Sequence, residues 1–152
     1  MKKLTKLLCI AIFVTLFTVG CEKDSAPRNS TSIIPATTNG RENVTLGTEY
    51  LNERKITVSV WDHGQIDGDI ITIYVNGTKH VTNRKLAGPG GKITFTTTLK
   101  YKGYNYILLY AHNVGNIPPN TAAISITSGG VSKEFTLNAN LDENGAVNLV
   151  VE

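Results

Sequence analysis

The sequence predicts an all-β fold built as an antiparallel sandwich, and three observations carry that prediction. From Lys55 onward the chain breaks into short runs rich in Val, Ile, Thr and Tyr, residues that suit a pleated, half-buried surface. Gly, Asn and Pro separate these runs, and none sustains the 3.6-residue period of an amphipathic helix. Asn76-Gly77 lies between two of them; both central residues of a two-residue hairpin turn need positive φ, which Asn and Gly adopt most readily. Eight such strands in about 100 residues fit an immunoglobulin-like sandwich without its cysteine pair, with a small open barrel as the alternative.

Taken in chain order, residues 1–20 read as an export signal: Lys2, Lys3 and Lys6 form a basic start and Leu7 to Val19 an apolar run. That run is about 13 residues, short of the roughly 20 needed to span a hydrocarbon core. Thr18-Val19-Gly20-Cys21 resembles a lipobox, although Thr18 stands where Leu is usual. The resemblance implies cleavage before Cys21, diacylglycerol in thioether linkage to its sulfur, and palmitate, with an ordinary secretory signal as the alternative. Several acyl chains, each methylene contributing about 0.8 kcal/mol, anchor a protein stably. Cys9 leaves with the signal, so a disulfide framework, a zinc-thiolate centre and a cysteine nucleophile are all excluded from the mature chain. Residues 21–50 read as the lipidated cysteine and a flexible tether, because Ser, Thr, Asn, Pro and Gly dominate and Ile33-Ile34 is the one apolar pair in Ser25 to Thr48, too little to offset ordering entropy.

The domain is placed at 51–152. Strands are expected at Lys55–Trp61, Asp69–Val75, Thr78–Leu86, Lys92–Leu99, Tyr104–Ala111, Ala122–Thr127, Val131–Asn138 and Ala146–Val151. Ile56, Val58 and Val60 alternate with Thr57 and Ser59, the pattern of a strand with one wet face. Tyr104–Ala111 is apolar on both faces and is therefore expected at the centre of a sheet. The six aromatics Trp61, Tyr74, Tyr101, Tyr104, Tyr106 and Tyr110 read as packing residues, with a sugar-stacking platform as the alternative.

Charge narrows the functions. Fifteen basic residues face twelve acids, but three of the basic ones lie in the export signal, leaving twelve of each. A neutral mature chain has no basic excess with which to attract nucleic acid.

Successive antiparallel strands reverse direction, so the loops divide between two poles. Short turns gather at one: Asn76-Gly77, Lys100–Gly103 and Ser128–Gly130. The longer loops Asp62–Gly68, Ala87–Gly91, His112–Thr121 and Ala139–Gly145 gather at the other, away from the tether. Loops held by a rigid scaffold are where binding usually resides, and this pole supplies the candidate residues Asp62, His63, Asp67, Asp69, His112, Asn113, Asn116 and Asn120. Asp62, Asp67 and Asp69 offer hard oxygen donors to calcium, without the spacing of an EF-hand loop. A carboxylate pair with His63 would suit acid–base hydrolysis, but no substrate cleft is legible and the chain is read as no enzyme. The plainest alternative makes Asp67-Gly68-Asp69 a turn in which Asp caps its own backbone. Gly88–Gly91 lacks the Lys and helix of a phosphate loop, and Pro118-Pro119 fixes the approach to the next strand, with a short polyproline-like binding element at Asn116-Ile117-Pro118-Pro119-Asn120 as the alternative.

Two blocks, Trp61-Asp62-His63-Gly64-Gln65-Ile66-Asp67-Gly68-Asp69 and Ala111-His112-Asn113-Val114-Gly115-Asn116-Ile117-Pro118-Pro119-Asn120-Thr121-Ala122, are similar to segments of small secreted and lipoprotein β-sandwich domains of the Bacteroidetes. The resemblance covers about 56–151 and implies an accessory envelope domain without an assigned activity. The expectation is an outer-membrane lipoprotein, on the cell-surface or periplasmic face, that binds a protein or glycan; the alternative is a subunit of an envelope secretion or adhesion assembly.

Overall fold

The computed structural model describes residues 25–152; the expected export signal and the expected lipidation site at Cys21 lie outside them. Eleven strands follow in order: β1 (Arg28–Asn29), β2 (Thr37–Thr38), β3 (Arg41–Leu51), β4 (Lys55–Asp62), β5 (Ile70–Val75), β6 (Thr78–Lys85), β7 (Ile93–Thr98), β8 (Lys102–Ala111), β9 (Asn120–Ser128), β10 (Val131–Ala139) and β11 (Glu143–Val151). The eight expected strands are β4 to β11, with ends displaced by up to three residues. One short 3₁₀ turn, Pro89–Gly91, precedes β7. Among the described residues no helix is long and apolar enough to cross a membrane.

Two sheets pack into a β-sandwich. The larger runs β2-β3-β11-β8-β5-β6, with β1 against the start of β8, and the smaller runs β10-β9-β4-β7. Ile56, Val58 and Val60 of β4 are buried between the sheets, while Thr57 and Ser59 face outward and meet the hydroxyls of Thr96 and Thr94 at 3.1 and 2.9 Å. The core adds Ile71, Ile73, Ile107, Leu109, Ile124, Ile126, Leu137 and Leu149. Asn76 and Gly77 take φ of 48° and 81°, closing the β5–β6 hairpin as their residue types dictate. As its two apolar faces require, β8 is central, between β5 and β11.

The tether reading of 21–50 is corrected over its described part. β1 pairs in parallel with Lys102 and Gly103 of β8. Ile33 and Ile34 then pack on Tyr74, Tyr106, Leu108 and Ala146, across the outer face of the larger sheet. Ser32 Oγ donates to Asn148 Oδ1 at 2.7 Å and Asn39 Nδ2 to the Tyr74 hydroxyl at 2.8 Å, which straps the segment down. β3 pairs in parallel with β11 from Glu42 to Leu51, with a bulge at Leu46. It escaped notice because its side chains are mostly polar; its contribution is a ladder of backbone hydrogen bonds that covers the edge of β11, and such bonds leave no apolar pattern. The domain therefore begins well before residue 51, and two of its pairings are parallel.

Tyr74, Tyr106 and Tyr110 share the outer face of the larger sheet, where Ile33 and Ile34 pack against the same cluster. Trp61, Tyr74 and Tyr106 are buried, and the Lys92 ammonium lies 3.7 Å from the Trp61 ring centre.

Candidate functional site

The long loops meet at one end of the sandwich. Asp62 N donates to Ala87 O, His63 N to Thr121 O and His112 N to Ile70 O, tying the 62–69, 86–92 and 112–121 segments together. A cavity of about 250 Å³ opens there, lined by Asp62, His63, Gln65, Asp67, Asp69, Ile117, Pro118, Pro119 and Thr121. Pro119 also lines a neighbouring cavity of about 230 Å³ that reaches Asn138–Asn140 and Glu143.

Each carboxylate arrives by a different route. Asp62 continues the inward parity of Ile56, Val58 and Val60, so its side chain caps the core and is 3% exposed. Gly64 and Gly68 then turn the loop with φ of 101° and 104°, bringing Asp67 and Asp69 back over it. Asp67 Oδ2 accepts the Ile117 N–H at 2.7 Å, and Asp69 Oδ2, on a residue 2% exposed, accepts that of Thr121 at 2.9 Å. These bonds cross to the 112–121 loop, so the reading in which Asp caps its own turn is corrected: only the positive φ of Gly68 remains of it. One oxygen of each acid is left over. Asp62 Oδ2, Asp67 Oδ1 and Asp69 Oδ1 are buried without a hydrogen-bond partner, and the three residues can each bring a ligand oxygen within 4.8 Å of the others.

Like charges gathered away from water disfavour ionisation. Burial pushes the Asp69 carboxyl up to about 6; the Thr121 N–H opposes this, and the charges of Asp67 and Asp62 reinforce it, as does the hydrogen bond that a protonated Asp69 makes to the Asp67 carboxylate. Asp62 is raised by burial too, opposed by a backbone hydrogen bond from Asp67, with Asp67 raising it further and His63 lowering it.

The other candidates separate into three groups. His63 lines the cavity. Asn113 and Asn120 support it from behind: Asn113 Oδ1 accepts Ile70 N–H at 2.7 Å and its Nδ2 donates to Gly68 O at 2.9 Å, while Asn120 Nδ2 donates to Asn113 O at 3.2 Å. His112 and Asn116 are not among the lining residues. His112 Nε2 lies 2.8 Å from Thr72 Oγ1, and its ring meets Tyr110 edge-on, because its position in the chain directs it onto the outer face of the larger sheet. Asn116 is exposed on its loop.

Sequence reasoning missed the part played by Gln65, Ile117, Pro118, Pro119 and Thr121. Two of them contribute backbone N–H groups, for which side-chain identity carries no signal. The two prolines were read chiefly as guiding the chain, with a polyproline-like binding element as the alternative; their peptide bond is cis. No family model, curated protein or solved structure matches this chain.

Proposed function

We propose that this chain is a membrane-anchored, non-catalytic β-sandwich module of the bacterial cell envelope whose loop pole binds a protein or glycan. The observation that carries the reading is the opposition of the two ends. The N-terminal segment joins the fold at β1, beside the start of β8, whereas the cavity lies beyond the end of that strand. β8 is ten residues long, about 33 Å at roughly 3.3 Å per residue. A lipid on Cys21 would thus hold the short-turn end to the membrane and present the cavity outward.

A second reading, an envelope-assembly subunit, is favoured by the outer edge of β3. β2 covers it only at Arg41 and Glu42, and Leu46 and Tyr50 are 45% and 51% exposed. Such an edge accepts a strand from a neighbour.

In-cell photo-cross-linking distinguishes the two, with a benzophenone amino acid at Gln65 in the cavity or at Tyr50 on the edge. The binding reading expects adducts from position 65, whereas adducts chiefly from position 50 favour the assembly; none from either refutes both. Cys21→Ser should abolish fatty-acid labelling and release the protein from membranes, and continued labelling would overturn the anchor.

A further inference from the structure

We infer that Asp62, Asp67 and Asp69 form a calcium site that locks the 62–69 loop to the 112–121 loop. The inference deepens the pole-binding reading but is tested without it. An acidic cluster alone would not suffice; what points to a ligand is that Asp62 and Asp69, 3% and 2% exposed, each keep a buried oxygen without a partner, in a cluster whose three carboxylates bring ligand oxygens within 4.8 Å of one another. A buried polar atom without a partner is costly, and a buried charge more so. The charged groups acting on Asp62 and Asp69 are one another, Asp67 and His63; no Lys or Arg is among them. A cation would satisfy all three free oxygens together.

The donor set selects the ion. Carboxylate oxygens are hard donors that favour calcium or magnesium over copper or zinc. Calcium holds oxygens at about 2.3–2.6 Å, so two oxygens on one ion lie at most about 5 Å apart, and it tolerates irregular geometry from loops. The 4.8 Å limit on these ligand atoms meets that bound. Magnesium, at about 2.0–2.1 Å and strictly octahedral, suits them less well. Three carboxylates leave some of the 6–8 calcium positions open, and the adjoining cavity is where water or ligand oxygens would enter. Because Asp67 and Asp69 already hold Ile117 and Thr121 through their second oxygens, binding would fix both loops.

Calorimetric titration of calcium chloride into the chelator-treated full-length protein in detergent tests this. The expected result is one ion per chain with Kd in the range of extracellular modules, about 10⁻⁴–10⁻³ M, and a melting temperature raised by roughly 5 °C at tenfold Kd. Asp69→Asn should weaken binding at least about tenfold while leaving the metal-free protein no less stable, since it removes a buried charge. Asp62→Asn gives a second reading should that variant misfold. Asp142→Asn, an exposed acid of a neighbouring loop, should bind as the parent does. No saturable binding up to about 10 mM calcium, equal loss in the Asp142 variant, or tighter binding of magnesium or zinc would overturn the assignment. Calcium binding without cavity cross-links would leave this site standing and refute the partner-binding reading.

Discussion

Gly115 has no side chain, yet the acidic cluster depends on it. Its φ is 59°, and a Cβ there would collide with the Asp67 carboxylate. Gly115→Ala therefore combines backbone strain with displacement of Asp67; unfolding in urea should show a loss of about 1–2 kcal/mol, and calorimetry a loss of calcium binding. His80 tests a different physical effect. It stacks on Phe95 with ring centres 4.8 Å apart, and burial lowers its pKa below the ordinary 6.5. A proton then binds the unfolded chain more readily than the folded one, so this contribution to stability is intact above pH 6.5 and is lost as pH falls through that value toward the folded pKa. His80→Phe, which keeps a ring on Phe95, should lose less stability than the parent between about pH 7.5 and pH 5. Equal losses in urea titrations at both pH values would show that His80 does not titrate differentially. Neither effect is legible in the sequence, because each depends on a neighbour some 15 or more positions away.

At the scale of elements, the N-terminal strap and β3 show how the alternation of apolar residues succeeds and fails. β4 and β8 were readable because one or both of their faces bury side chains of matching parity. The strap's apolar content is chiefly Ile33 and Ile34, and their partners Tyr74, Tyr106 and Leu108 lie far along the chain. Full burial of an aliphatic side chain contributes about 1.5–3 kcal/mol, and these two are half-buried. The double change Ile33→Ser and Ile34→Ser should thus lower stability by about 2 kcal/mol, seen as an earlier urea midpoint, while the β-sheet circular dichroism of the folded state is preserved. A loss below about 0.5 kcal/mol would mean that the strap follows the sheet without stabilising it.

At the scale of the whole molecule, β3 supplies the parallel partner along nine residues of β11, and β11 joins it to the central β8. A chain shortened to begin at residue 51, the boundary that composition alone suggests, should lack a cooperative melt and bind a hydrophobic dye, whereas one beginning at residue 25 should melt cooperatively. An equally sharp melt for the shorter chain would show that β11 tolerates a bare edge. The sequence by itself determined the all-β class, eight strands, the Asn76-Gly77 hairpin and the division into a short-turn pole and a long-loop pole, because strand parity and turn chemistry are local. It also placed Asp62, Asp67 and Asp69 among the candidates. Only the tertiary structure decided that their carboxylates converge, that backbone N–H groups of Ile117 and Thr121 hold Asp67 and Asp69, that His112 belongs to another face, and that residues 25–51 are part of the fold. Those outcomes depend on backbone hydrogen bonds and on contacts between residues far apart in the chain, and neither leaves a periodic trace in the order of amino acids.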